Sequence, residues 1–220
     1  MSAALVRTRS FSAWTLVAGL ALLAAAPLRA ADIYDAAVRH AGRSADDLKR
    51  DSLDHPAEVL RLAGIEPGMY VADFLAANRL PNVEHQLVDL NHLSLPAGSL
   101  DAVLVIKVYH DLYWVDTDKK NWPDVDPREV LDTLVKALKP GGTLLLVDHS
   151  AKPESGSSAA SPLHRIDESF ARKDFESRAL KVVATSNVLR RPDDPRTQIS
   201  YKGPALGKTD RFVIVFRKGG

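Results

Sequence analysis

Leu100-Asp101-Ala102-Val103-Leu104-Val105-Ile106 is followed, after a polar gap, by Asp126-Pro127-Arg128-Glu129-Val130-Leu131-Asp132-Thr133-Leu134-Val135-Lys136-Ala137-Leu138 and then Lys139-Pro140-Gly141-Gly142-Thr143-Leu144-Leu145-Leu146-Val147. The first and last of these are short, nearly all-apolar runs, the pattern of strands covered on both faces. Between them, Asp126 supplies a cap, Pro127 sits at the first helical position and Glu129 is placed to close a capping box. Val130, Leu131, Leu134, Val135 and Leu138 then fall on one helix face, and Pro140-Gly141-Gly142 ends it. Strand, helix and strand in that order predict a parallel pair joined by a crossover.

Working outward, the same alternation continues. His55 to Gly64 reads as a helix with Pro56 in its first turn and Gly64 just past its end. Pro67-Gly68 turns the chain into a strand over 69–74, and 83–88 is a further strand candidate. Ser161-Pro162 opens a helix with Leu163, Ile166 and Phe170 inward, and 180–188 and 212–216 are the last two strands. The 190–210 connection is polar and proline-rich, and one of that length is either functional or mobile. Helices alternating with strands predict an α/β domain with a parallel sheet, whose chemistry sits at the carboxyl ends of the strands.

The N-terminal end has a different character. Arg7 and Arg9 precede an apolar run from Trp14 to Ala26, and Pro27-Leu28-Arg29-Ala30 leads into Ala31-Asp32. This predicts a signal peptide over 1–30 cut after Ala30, and so a periplasmic or secreted product with no stable membrane anchor. The remaining 190 of 220 residues suit one domain, read as a polar, partly helical extension over 31–53 and a domain over 54–220. The removed segment holds three basic residues and no acidic ones, so the rest carries 26 basic against 28 acidic side chains. That balance gives no nucleic-acid footprint, and the absence of cysteine excludes thiolate catalysis and disulfides.

Three further stretches carry a resemblance. Leu62-Ala63-Gly64-Ile65-Glu66-Pro67-Gly68-Met69-Tyr70-Val71-Ala72-Asp73 looks like the approach to the first strand of a class I S-adenosylmethionine-dependent methyltransferase. Leu138-Lys139-Pro140-Gly141-Gly142-Thr143-Leu144 looks like that family's approach to its fifth strand. Val108-Tyr109-His110-Asp111, Val147-Asp148-His149-Ser150-Ala151 and Leu163-His164-Arg165-Ile166-Asp167-Glu168 resemble a secreted bacterial subgroup of it. The resemblance implies a Rossmann-like sheet, mostly parallel with the last strand antiparallel. It also implies S-adenosylmethionine as cofactor, a small-molecule methyl acceptor, Asp73 near the cofactor's amino-acid end and Asp89 near its adenine.

One part of that pattern is missing. Phe74-Leu75-Ala76-Ala77-Asn78-Arg79-Leu80-Pro81-Asn82 leads directly to the next strand candidate without a glycine. The family's glycine turn lets backbone amides reach the cofactor, and a parallel crossover alone takes about a dozen residues. The sheet is therefore expected to lack the first crossover helix and the second strand. The competing expectation to a methyltransferase is a non-catalytic relic or periplasmic binding protein that has lost the cofactor.

His110, Asp111, His149, His164 and Glu168 are the candidate catalytic residues. A parallel order puts the first three on one rim, and His164 and Glu168 are spaced i, i+4. A histidine can accept a substrate proton while a carboxylate orients its ring. Imidazole and carboxylate also suit zinc or iron, but with no His-x-x-x-His spacing, no metal is expected. Tyr109, Tyr113, Trp114 and Trp122 flank the rim, either stacking on a flat substrate or packing against a loop.

Overall fold

A computed structural model describes residues 31–73, 89–117 and 124–220. The expected signal peptide, the glycine-free run from Phe74, the strand expected over 83–88 and Trp122 lie outside the described residues. Elements α1 (Ala31–Val38), α2 (Ala45–Asp54) and α3 (Pro56–Ala63) precede β1 (Val71–Asp73). They are followed by β2 (Leu100–Ile106), α4 (Pro127–Ala137), β3 (Leu138–His149), α5 (Ala160–Leu163), α6 (Glu168–Glu176), β4 (Leu180–Ser186) and β5 (Arg211–Lys218).

The five described strands form one sheet in the order β1-β2-β3-β5-β4. β1, β2 and β3 pair in parallel, and β5 runs antiparallel between β3 and β4. The α/β class, the mostly parallel sheet and the antiparallel last strand are as the sequence predicts.

Helix α4 makes the crossover between β2 and β3. Asp126 accepts from the Arg128 amide at 2.9 Å, Pro127 occupies the first turn, and Val130, Leu131, Leu134, Val135 and Ala137 are buried. β3 begins immediately at Leu138, earlier than Thr143, because Leu138 pairs with Leu100. Gly142 is required there: a Cβ would lie 2.9 Å from the Lys139 carbonyl oxygen and 3.1 Å from that of Asp101. At the other end of the domain Tyr70 is exposed, with its amide donating to the Asp101 carboxylate at 2.9 Å, and among the described residues Val71 to Asp73 form β1.

Each face of the sheet carries its own core. On one, Val103, Val105, Leu144, Leu146, Ile214 and Phe216 pack with α4 residues and with Phe175 of α6. On the other, Leu104, Leu145, Val147, Val213 and Val215 pack against Val59 and Ala63 of α3. Tyr34 of α1 is buried and donates to the Ile65 carbonyl at 2.8 Å, so the N-terminal helices are fastened to this second face.

The helix expected from Ser161 onward is two helices. His164 takes a left-handed conformation (φ 49°) and ends α5, and Asp167 caps α6 by accepting from the Ser169 amide at 2.7 Å. The break has a cause: Ile166 leaves the helix to form a parallel bridge with Ser150, just past the end of β3. The proline-rich connection between β4 and β5 is likewise held down. Arg165, fully buried, donates to the Ser150 and Gln198 carbonyls and to Asp194, whose carboxylate in turn accepts from the Asp210 amide.

Asp54 at the end of α2 pairs with Lys107 after β2 and with Arg211 at the start of β5. Burial alone would raise its pKa, but Lys107 and Arg211 hold it down at about 2. A carboxylate depressed on folding stabilises the protein above its ordinary titration range, and that stability is lost as pH falls toward the folded value. Asp54→Asn is therefore expected to flatten the loss of thermal stability between pH ~5 and ~2. Melting temperatures across that range check this, and an unchanged slope would contradict it.

Candidate active site

The rim is built by two adjoining strand ends and one bridging segment. After β2 the backbone turns at Lys107 (φ 60°), whose amide donates to the Val147 carbonyl at 2.7 Å. A single 3-10 turn, His110–Tyr113, follows and lays His110 against the end of β3. There Asp148, fully buried, accepts from the His110 amide at 2.9 Å, from His110 Nδ1 at 2.7 Å and from the His149 amide at 2.7 Å. The Ser150–Ile166 bridge then brings His164 to the same place.

Asp111 Oδ1 lies 3.2 Å from His110 Nε2 and 3.3 Å from His164 Nδ1. The His110 and His149 rings are 6.0 Å apart and the His110 and His164 rings 5.4 Å apart. His149 Nδ1 is 2.8 Å from Thr209 Oγ1. Trp114 and Tyr201 stand against His164 at 5.3 and 4.7 Å between ring centres. Tyr109 and Tyr113 pack inward on Phe175 and Phe170, and both hydroxyls donate to Asp174 at 2.7 Å. These two tyrosines are therefore packing residues.

The three histidines sit in contrasting electrostatic surroundings. Burial works against charge on His110, but the Asp148 and Asp111 carboxylates raise its pKa to about 10, so it carries a proton at neutral pH. Burial lowers His149 to about 3 despite the neighbouring Asp148, so its ring is neutral. Asp111, pushed up by burial and down by its bonds to His110 and His164, settles at about 2. A cationic imidazole fixed between two carboxylates thus stands beside a neutral one.

His110, Asp111, His149 and His164 meet at this rim. Glu168 does not share it: it opens α6 and pairs with Arg190. There it lines a separate cavity of about 270 Å³ with Ser150, Asp167, Arg172 and Arg196. The i, i+4 relation between His164 and Glu168 is lost with the helix break. Asp73 ends β1, exposed. Asp89 caps the turn Leu90–His92, accepting from the Asn91 amide at 3.0 Å and facing His92 Nδ1 at 3.4 Å. Sequence reasoning passed over Asp148, Thr209 and Tyr201. The adjacency of Asp148 to His149 at a strand end was the available signal for the first of them.

A family model described as a methyltransferase domain matches residues 41–146. An S-adenosylmethionine-dependent methyltransferase from Aquifex aeolicus is 18% identical, covering 78% of this chain and 94% of that one, with a TM-score of 0.52. A chain of the complex between the Haloferax volcanii Trm112 methyltransferase activator and the methyltransferase is 13% identical, covering 79% of this chain and 92% of that one, with a TM-score of 0.52. No curated protein matches.

The residues at hand do not fit S-adenosylmethionine well. Asp89 is engaged in its own turn, and the sequence has no glycine between Gly68 and Gly98 to bring backbone amides to a cofactor after β1. Residues 41–146 nonetheless match a methyltransferase domain model, and the sheet is folded as in the S-adenosylmethionine-dependent methyltransferase from Aquifex aeolicus.

Proposed function

We propose that this chain is an exported protein of the S-adenosylmethionine-dependent methyltransferase type, that it acts on a small molecule bound at the histidine rim, and that its grip on the cofactor is weak. The observation that carries the reading is the convergence of His110, Asp111, His149 and His164 at the carboxyl ends of β2 and β3. Ligands of open α/β sheets bind at that edge. His110, already protonated between Asp111 and Asp148, offers positive charge rather than basicity. His164 is the group placed to accept a proton from a bound nucleophile, the buried His149 ring stays neutral beside it, and Trp114 and Tyr201 offer flat walls.

A second reading is a periplasmic binding protein that has kept the fold and rim but not the cofactor. The glycine-free stretch and the engaged Asp89 favour it. Calorimetric titration with S-adenosylhomocysteine separates the two, since weak saturable binding fits the first and no binding fits the second. We expect weak or undetectable binding, and a dissociation constant in the low micromolar range or tighter would overturn the reading of a lost glycine loop. If the rim is otherwise intact, inserting a glycine turn, helix and strand after Phe74 should restore affinity.

Export rests on the basic, apolar and small-residue order of 1–30. Mass spectrometry of the protein recovered outside the cytoplasm should give an N-terminus near Ala31, and intact Met1 would refute cleavage.

A further inference from the structure

We propose that His110, Asp111 and His164 form a binding site for one divalent transition-metal ion, of which zinc is the representative. This goes beyond methyl transfer and stands independently of it.

The geometry comes first. The three ligand atoms lie within 4.8 Å of one another, with Asp111 Oδ1 shared at 3.2 Å from His110 Nε2 and 3.3 Å from His164 Nδ1. Zinc bonds imidazole nitrogen and carboxylate oxygen at about 2.0–2.2 Å, so neighbouring donors in tetrahedral or octahedral arrangement stand about 2.8–3.6 Å apart. Both carboxylate–imidazole separations fall inside that window. An ion seated between the three atoms must also hold the two imidazole nitrogens, which lie within 4.8 Å of each other, at about 4 Å or less.

The support behind the ligands is the second argument. A metal-binding imidazole characteristically donates its other ring N–H to a carboxylate, which fixes the tautomer and aims the free nitrogen at the metal. Asp148 does this for His110: it is fully buried, accepts from Nδ1 at 2.7 Å, and is itself held by the His110 and His149 amides. Nε2 of His110 is thereby directed at Asp111 and the site. His164 is held by ring contacts with Trp114 and Tyr201, and the His149 ring lies 6.0 Å from that of His110 as a nearby fourth group.

The donor set then narrows the ion. Two imidazoles and one carboxylate suit zinc, iron(II), cobalt(II) or nickel(II) and disfavour magnesium or calcium, which take oxygen ligands. Three protein ligands leave coordination positions for water or a substrate atom, as in catalytic rather than structural sites. The side chains of His164 and Asp111 are 16% and 23% exposed, so the site is reachable from solvent. Ligands at 110, 111 and 164 have no sequence periodicity. The bridge between Ser150 and Ile166 is what assembles them.

The test uses the exported protein, purified without a polyhistidine tag and stripped with chelator. Zinc(II) is titrated by calorimetry, and cobalt(II) by its visible absorption, which reports the coordination geometry. We expect one equivalent to bind, with proton release, because the metal takes the place of protons on the imidazoles. Asp111→Asn and His164→Gln should each lower zinc affinity by about tenfold or more and weaken the cobalt bands, while Asp148→Asn should cost about 10–100-fold. His92→Gln, an exposed imidazole beside Asp89, should change nothing. Circular dichroism and melting of each variant show whether it is folded, and Asp111→Asn, a near-isosteric change at the more exposed of the two side chains, is the least intrusive. Absence of zinc binding, or binding that survives both Asp111→Asn and His164→Gln in folded protein, would overturn the site. Neither result depends on S-adenosylhomocysteine affinity.

Discussion

Asp148→Ala is expected to destabilise the fold by about 3 to 5 kcal/mol, the range for removing one partner of a buried ion pair. Asp148 has no solvent exposure and accepts hydrogen bonds from two amides and one imidazole. Its loss leaves the His110 and His149 amides without their side-chain acceptor, and it removes the stronger of the two carboxylates that keep His110 charged. His110 must then shed its proton or remain a buried cation facing Asp111 alone. Urea denaturation at neutral pH measures the effect. Asp148→Asn keeps the shape and one acceptor oxygen and should cost less. Equal stability of Asp148→Ala and the parent would show that Asp148 does not organise the rim.

Arg165→Met is expected to cost a similar amount, again about 3 to 5 kcal/mol, by stranding a charge rather than by losing packing. Arg165 is fully buried against Asp194, whose side chain is 3% exposed, and it also serves the Ser150 and Gln198 carbonyls. Methionine fills comparable volume but supplies no donor, so the carboxylate keeps the Asp210 and Arg196 amides but loses its cationic partner, and both carbonyls lose a donor. The failure should be local before it is global. The 190–210 connection has lost its anchor, and limited proteolysis should cut there well before the sheet unfolds. Replacing Arg165 and Asp194 together with apolar residues should recover much of the loss, and no recovery would refute the stranded-charge account.

These two residues also mark where the sequence stops being readable. Strands β2 and β3 and helix α4 were legible because their signals are local: unbroken apolar runs, a proline at the first helical turn and a Gly-Gly pair at a close approach of two strands. The meeting of His110, Asp111 and His149 followed from the parallel order alone. A buried arginine or aspartate, by contrast, looks in sequence like any surface charge, because burial is decided by partners dozens of residues away. Leu163, Ile166 and Phe170 fit a continuous helix by spacing, yet the bridge from Ile166 to Ser150 outweighs that local preference and turns Glu168 away from the histidines.

The position of β5 has a consequence for how the molecule is made. The strand latest in the chain lies inside the sheet, between β3 and β4, so neither can complete its pairing until residues 211–218 are present. β4 has no other partner among the described strands, and apart from its local packing on α6 it is held in the sheet by β5 alone. Such non-local pairing is slow, because loop closure must precede it. A chain emerging from its N-terminal end therefore stays open along this seam while it is being synthesised, and the apolar strand β3 left waiting is an aggregation hazard until residues 211–218 arrive.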